Sequence, residues 1–199
     1  MRKMLRYSPA TAVIFATLVL PFITFAPTLL PNTGAEPALA ATVVATSTQS
    51  AATTTLGTPL ALTIPSIDFD ASVIEVGLNN KGEMDVPSGT SSDVGWYKYG
   101  TEPGEVGSAV IDAHVYAAFK DLDQVEVGDS IYVTGNTGEQ LHFVVEEVAT
   151  TKLEQTSAAR LFNRIDKARL NLITCAGTYV ASRGTYDHRL VVYAVLVGV

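Results

Sequence analysis

Residues 169–175 read RLNLITC, and residues 189–197 read RLVVYAVLV. Both runs are short, rich in aliphatic and β-branched residues, and apolar on both faces, a pattern typical of central strands in a sheet. A third apolar run, Ser108–Ala113, stops directly before His114. The sequence therefore predicts that Cys175, His114 and Arg189 each lie at the end of a strand.

These three side chains suggest cysteine acyl transfer. A thiolate is the attacking form, and ordinary pKa values near 8.5 for a thiol and 6.5 for an imidazole leave under about one per cent of such pairs as thiolate and imidazolium at pH 7. A cationic neighbour raises that fraction. We expect His114 to protonate a leaving amine and deprotonate an incoming one. Arg189 stays protonated, so we expect it to donate hydrogen bonds to an oxyanion or to the substrate backbone.

Each residue also has a structural interpretation. Cys175 can be a buried, inert thiol, His114 a hydrogen-bonded structural histidine, and Arg189 a surface partner of Asp187 or Glu147. Other side chains that draw notice are predicted to be structural or solvent-exposed: His142, His188 and Arg183 as bystanders, and Trp96, Tyr97 and Tyr99 as core packing.

The rest of the chain predicts an all-β domain, because short strand-like runs are separated by frequent turns. The turn residues 135–138 (GNTG) between two alternating runs indicate a hairpin. Two short helices are expected, over 117–124 and over 157–165, the second with Ser157 as its N-cap. The predicted strands are Leu60–Ile64, Ala71–Val76, Ser108–Ala113, Ser130–Thr134, Gln140–Val145, Leu170–Thr174 and Leu190–Val197.

Charge and the absence of certain motifs argue against several function classes. Beyond residue 56 the chain carries 10 basic and 19 acidic residues, a net charge of −9, which argues against a nucleic-acid partner. No phosphate-binding glycine motif and no metal-ligand spacing occurs, so we expect no cofactor and no metal. The acidic pairs Asp121/Asp123 and Glu146/Glu147 lack EF-hand spacing, and we assign them no calcium.

The N-terminus predicts export. Arg2, Lys3 and Arg6 precede an uncharged apolar stretch over about residues 10–30, long enough to span a membrane. Residues 1–41 are interpreted as a signal anchor or as a signal peptide, since ALA at 38–40 fits a cleavage site. Residues 42–58 are predicted to be a flexible linker, and residues 59–199 one catalytic domain. The domain is expected outside the cytoplasm, tethered by a single span or secreted if the signal is removed.

Residues 59–199 resemble the sortases, the cysteine transpeptidases of Gram-positive cell surfaces. The run 172–175 (LITC) matches the last four positions of the family signature TLxTC, with Asn171 in place of the leading threonine. His114 stands in a context similar to the family's GH motif, with Ala113 replacing the glycine. Arg189 follows Cys175 by fourteen residues, as the family's arginine does. Further similar landmarks are 93–97 (DVGWY), Pro103-Gly104, Gly107, Phe119, Leu122 and Gly128-Asp129.

The resemblance implies a closed eight-stranded β-barrel of a compact type, most similar to classes E/F or D. It implies that Cys175 attacks the threonine carbonyl of an LPxTG-like sorting motif and that an amine, from a cell-wall precursor or a pilin lysine, takes the acyl group. Thr174 and Ala113 are expected to contact substrate. Three alternatives stay open: a thiol hydrolase with water as acceptor, a non-catalytic surface β-barrel that binds a partner, and an L,D-transpeptidase, whose compact His–Cys motif is absent.

One further motif lies before the predicted domain. Leu30-Pro31-Asn32-Thr33-Gly34 reads LPNTG, the sorting pattern that the resembled family cuts. A sorting signal normally precedes its membrane helix, whereas here the apolar stretch comes first. We expect either a chance match or self-cleavage between Thr33 and Gly34 that releases the catalytic domain.

Overall fold

The computed structural model describes residues 56–198, and within them eight strands close into a β-barrel. The strands are β1 (Pro59–Ile64), β2 (Phe69–Val76), β3 (Val94–Tyr97), β4 (Gly107–Asp112), β5 (Ser130–Gly135), β6 (Gln140–Lys152), β7 (Ala168–Val180) and β8 (Thr185–Leu196). Around the barrel they follow the order β1-β2-β3-β4-β7-β8-β6-β5, and β5 pairs with β1 to close it. The predicted closed, eight-stranded, all-β fold is confirmed.

Two pairs of neighbouring strands are parallel, β2 with β3 and β4 with β7, and the others are antiparallel. Parallel pairing requires long crossover connections. The β2–β3 connection and the path from β4 to β7, which includes β5 and β6, are these crossovers. The second of these contains α1 (Ala158–Phe162). Ser157 is the N-cap of this helix, since its hydroxyl accepts a hydrogen bond from Arg160 N–H at 3.2 Å.

The core fills the barrel from alternate positions of each strand. On β4 and β7 the inward residues Ala109, Ile111, Leu170 and Leu172 are completely buried. The alternate positions point outward, where Leu161 of α1 packs over β7 and β8. This outer face of β4, β7 and β8 carries the chemistry-bearing side chains.

Seven of the eight strands were predicted from the sequence, and the strand that was not predicted is β3. Its sequence, VGWY, is short and contains Gly95, which weakens any strand pattern. The glycine is required by packing, because a Cβ there would lie 2.8 Å from Asp112 Oδ1 and 2.8 Å from Val76 Cγ1.

Four further expectations are corrected. Cys175 and Arg189 lie within β7 and β8 rather than at strand ends, because both strands extend past the apolar runs. Residues 117–124 form turns and a 3₁₀ segment, Leu122–Gln124, rather than a helix. The second helix is shorter than predicted and ends at Phe162. Leu56, at the end of the predicted linker, is 2% exposed and belongs to the core, so the folded domain includes it.

The proposed signal segment, its cleavage site and the LPNTG motif lie outside the described residues. Within residues 56–198, no helix has the length and apolar character needed to cross a membrane.

Candidate active site

The parallel register of β4 and β7 sets His114 against Cys175. Asp112 pairs with Ile173 at the end of β4. His114 and Cys175 each follow these partners by two residues, so the same register brings them level. Neighbouring strands are about 4.8 Å apart, and positions two residues apart share a face. The imidazole and the thiol therefore belong to one side of the sheet.

Two hydrogen bonds extend this register beyond the end of β4. Ala113 N–H donates to Ile173 O at 3.4 Å, and Thr174 Oγ1 donates to Ala113 O at 2.7 Å. Thr174 is 3% exposed and Ala113 5% exposed. Their contact ties the segment that carries His114 to the strand that carries Cys175, and the substrate contact expected of both residues stays a prediction.

Arg189 lies on β8, the neighbour of β7 on the side away from β4. The antiparallel register of β7 and β8 places it directly opposite Cys175. Residues opposite each other on one face of such a pair have Cβ atoms about 4.5–5.5 Å apart. His114, Cys175 and Arg189 thus form one row across β4, β7 and β8.

The guanidinium of Arg189 is held by two backbone carbonyls and a hydroxyl rather than by a carboxylate. Nη1 donates to Tyr186 O at 3.1 Å and to His188 O at 2.9 Å, and Nη2 donates to Thr185 Oγ1 at 3.0 Å. Among the described residues no carboxylate pairs with it. The surface ion pair weighed from the sequence is therefore not formed, and the positive charge stays available to a substrate.

A tight turn positions His114. Its carbonyl accepts hydrogen bonds from Ala117 N–H at 3.1 Å and Phe119 N–H at 3.2 Å, and the Phe119 side chain is buried in the core. The imidazole stacks on the exposed ring of Tyr116, with centroids 4.8 Å apart. The histidine is thus fixed at its backbone while its ring remains at the surface of the cleft.

The row lies in an open cleft of about 1260 Å³ on the outside of the barrel. One wall is the β2–β3 connection, from Leu78 to Val86. The opposite wall is α1 with the segments around it, and the β7–β8 turn closes one end. Cys175 is partly exposed within this cleft and forms no disulfide.

Asp112 is a cleft residue that the sequence did not single out. It lies two residues before His114 on the same face of the strand. Burial, reinforced by the nearby charge of Asp85, raises the pKa of Asp112 to about 8. A polar residue ending an apolar run directly before a candidate catalytic histidine is the signal that could have identified it.

The remaining candidates have structural partners. His188 contacts Asp187 at 2.7 Å, a hydrogen bond that lowers the pKa of Asp187, and His142 contacts Ser130 Oγ at 2.9 Å. Arg183 pairs with Glu154 at the end of the cleft.

Only one of the three candidate core aromatics is in the core. Trp96 is 4% exposed, as expected. Tyr97 and Tyr99 line the cleft instead, and Tyr99 is 69% exposed. Tyr97 packs edge-to-face on Phe162 of α1, with centroids 5.5 Å apart. The expectation of core packing for these two tyrosines is wrong because Tyr97 is the last residue of β3 and Tyr99 lies beyond it.

Across residues 56–198, no group of three histidine, cysteine or acidic side chains is arranged to hold a metal ion. Glu146 and Glu147 are engaged in ion pairs with Lys167, Arg169 and Arg160.

Comparison with known proteins gives one family. The family model of the sortase domain matches residues 62–197. No curated protein sequence matches the chain significantly.

Among solved structures, a sortase D5 transpeptidase from Clostridium perfringens is 22% identical, with a TM-score of 0.55 over 71% of this chain and 79% of that one. Sortase A from Corynebacterium diphtheriae is 24% identical, with a TM-score of 0.54 over 71% and 61%. Sortase C1 from Streptococcus agalactiae is 22% identical, with a TM-score of 0.54 over 70% and 67%. These structural similarities show that the chain shares the fold of these proteins.

Proposed function

The chain belongs to the sortase family, and from this membership we propose that it is an extracytoplasmic cysteine transpeptidase. Its donor is a protein with an LPxTG-like sorting motif, cut between threonine and glycine. Its acceptor is an amine, from a cell-wall precursor or a pilin lysine. The chain is tethered to the membrane by its N-terminal segment or secreted after cleavage of that segment, and it is of a compact class, E/F or D.

The observation that carries this proposal is the row of three side chains in an open cleft. Cys175 lies level with His114 on one neighbouring strand and opposite Arg189 on the other. All three line the same cleft, whose volume of about 1260 Å³ is large enough to admit part of a peptide. A nucleophile, a proton carrier and an oxyanion donor are the parts that acyl transfer needs.

In the first half-reaction, Cys175 Sγ attacks the threonine carbonyl carbon and a C–S bond forms. The oxyanion accepts hydrogen bonds from Arg189. The carbon–nitrogen bond to glycine then breaks, and His114 donates a proton to the leaving amine. The product is a thioacyl group on Cys175.

In the second half-reaction, an amine nitrogen attacks the same carbon and gives its proton to His114. The C–S bond breaks, Cys175 leaves as thiolate, and a new amide bond remains. The open cleft gives the incoming amine access to the row.

Intact mass spectrometry of the whole chain with an LPNTG peptide, followed by triglycine, tests this function. We expect a thioacyl adduct on Cys175 that passes to triglycine, and no adduct on Cys175→Ala. An adduct released equally without amine would make the enzyme a hydrolase. A Cys175 that labels with a thiol reagent yet never forms an adduct with a panel of sorting peptides would favour a binding module.

A further inference from the structure

Asp112 occupies an unusual position on the floor of the cleft. It ends β4, pairs with Gly95 on β3 and with Ile173 on β7, and points to the same side of the sheet as His114. Positions two apart on a strand are separated by about 6.6 Å. The carboxyl therefore lies one step along the strand from the proposed catalytic row.

The carboxyl is short of hydrogen-bond partners. Oδ1 of Asp112 is buried and has no partner among the described residues. Such an atom costs folding free energy and calls for an explanation in function or in a missing partner. The space it occupies exists because Gly95 has no side chain, since a Cβ there would lie 2.8 Å from Oδ1.

Two cations of the cleft are directed elsewhere, since Arg189 donates to oxygens of its own strand and Arg183 pairs with Glu154. The third, Lys81, lies in the β2–β3 connection and forms no ion pair with a described residue. The charge that acts most on Asp112 is that of another carboxylate, Asp85 in the same connection. Among the described residues no cation therefore pairs with this carboxyl.

We infer that Asp112 binds a cation of the substrate, an ammonium or guanidinium group, on the cleft floor beside His114. The inference deepens the proposed transpeptidase function, on which it rests. Two sources carry this chemistry: a basic side chain of the donor peptide within three residues of the scissile bond, and the acceptor amine in its protonated form. The apolar neighbours Ile173, Leu161 and Phe162 suit the aliphatic stem of such a group.

Binding of the cation is coupled to a proton. Below about pH 8 the free carboxyl is protonated. When an ammonium group binds, the carboxyl releases its proton to solvent and a carboxylate–ammonium pair forms. The preference of the site for a cationic group over a neutral one therefore rises with pH up to about 8 and is constant above that pH. Other ionisable groups line every wall of this cleft. They are Lys81, Glu83, Tyr97, Tyr99, His114, Tyr116, Cys175, Tyr179, Arg183, Tyr186 and Arg189, and Asp85 acts on Asp112 from the β2–β3 connection.

Binding to a Cys175→Ala chain tests the inference without turnover. Labelled sorting peptides that carry lysine, glutamine or glutamate at each position within three residues of the scissile bond are titrated by fluorescence anisotropy at pH 8. At one position we expect lysine to bind at least about tenfold tighter than glutamine. Asp112→Asn should reduce that ratio to below about threefold. Glu83→Gln, which removes an exposed carboxylate from the same cleft wall, is the matched control and should keep the ratio.

A second arm separates the two sources. Triglycine and N-acetyl triglycine compete against a neutral labelled peptide, on the Cys175→Ala chain with Asp112 intact and with Asp112→Asn. Competition that needs both the free amine and Asp112 assigns the site to the acceptor. A lysine preference in the first arm alone assigns it to the donor peptide.

Equal binding of lysine and glutamine peptides together with equal competition by both triglycines would overturn the inference, as would a charge preference that survives Asp112→Asn. If Asp112→Asn does not fold, the pH dependence decides. A lysine-to-glutamine ratio, or a free-to-acetylated triglycine ratio, that stays flat between pH 6 and 8.5 overturns the inference. A thioacyl adduct without charge preference rejects this inference alone, and a charge preference without any adduct rejects the proposed function alone.

Discussion

Cys175 lies directly opposite Arg189 in the antiparallel ladder between β7 and β8. The guanidinium is anchored by Tyr186 O, His188 O and Thr185 Oγ1, none of which neutralises its charge. The protein therefore presents a fixed, uncompensated positive charge beside its only thiol. Such a charge can stabilise an oxyanion formed at the thiol.

Replacement of Arg189 should remove that stabilisation. We expect Arg189→Ala to lower kcat/KM for peptide transfer about a hundredfold, equivalent to about 3 kcal/mol of barrier. Arg189→Lys should recover little, because an ammonium group cannot reproduce the planar fork of donors. Thr185→Val, which removes one anchor of the same guanidinium, should cost only a few-fold. Near-wild-type transfer by Arg189→Lys in a kinetic assay would contradict this role.

Thr174 should matter through Ala113 rather than through its chemistry. Thr174→Val removes the buried hydrogen bond to Ala113 O and should destabilise the fold by about 1–2 kcal/mol. Because it also loosens the segment that carries His114, transfer should fall about tenfold with little change in KM. Thr174→Ser keeps the hydroxyl and should restore both values. Denaturant unfolding and transfer kinetics measure the two effects, and a Ser variant as impaired as the Val variant would show that the methyl group matters instead.

The pKa of Asp112 predicts an unusual dependence of stability on pH. Its folded-state pKa, about 8, lies above the ordinary value of 3.8, so the folded chain holds a proton that the unfolded chain has lost between these pH values. The Asp112 contribution to stability therefore falls as pH rises from about 4 to 8. Asp112→Asn should raise Tm by about 2–5 °C at pH 8 and by much less at pH 5. Glu83→Gln is the control, and a Tm difference independent of pH would refute this prediction.

The ion pairs of Arg169 predict a contribution to stability that is lost in acid, whereas the contribution of Asp112 is lost as pH rises. Arg169, 3% exposed, donates to Asp166 at 2.7 and 3.0 Å and to Glu146 at 2.9 Å, and these hydrogen bonds lower the pKa of both carboxyls. Lowered pKa values stabilise the fold above about pH 4 and lose that effect as pH falls. Arg169→Met should lower Tm by about 5 °C at pH 7 and by less at pH 3, as measured by calorimetry. Lys167→Met, at the exposed edge of the same cluster, should have a smaller effect.

The LPNTG motif predicts self-processing. If the enzyme cuts its own residues 30–34, cells that make the wild-type chain should contain a form that begins at Gly34. Cys175→Ala should leave this bond intact, and so should Thr33→Ala in an active enzyme. N-terminal sequencing of the domain recovered from cells decides it. A mature N-terminus at Ala41, or identical processing of the Cys175→Ala chain, would rule it out.

The row of three side chains was predictable because each member borders an apolar run whose composition is that of a strand. The extension of β7 and β8 beyond those runs, which places Cys175 and Arg189 inside strands, was not predictable from the runs. The barrel itself followed from the same runs together with the family resemblance. Strand β3 escaped because Gly95 interrupts its pattern, and the requirement for that glycine comes from Asp112, far away in the sequence. Local sequence does not record such a contact between distant residues.

The cleft was less predictable than the row. The two tyrosines at its wall have the composition of core residues, and their exposure depends on where β3 ends and α1 begins. The raised pKa of Asp112 depends on burial and on the charge of Asp85 in the β2–β3 connection. Both properties arise from tertiary packing, which pattern and propensity do not specify.

The parallel pairing of β4 with β7 joins strands about sixty residues apart, whereas β7 and β8 form a hairpin. Loop closure over such distances is slow compared with formation of a hairpin. The thiol therefore gains its guanidinium neighbour when the β7–β8 hairpin forms, and its imidazole neighbour only when β4 has docked on β7. A chain that has formed the hairpin but not the β4–β7 pair carries the cysteine without the histidine. The order of the strands thus makes the proposed proton carrier the last member of the row to arrive.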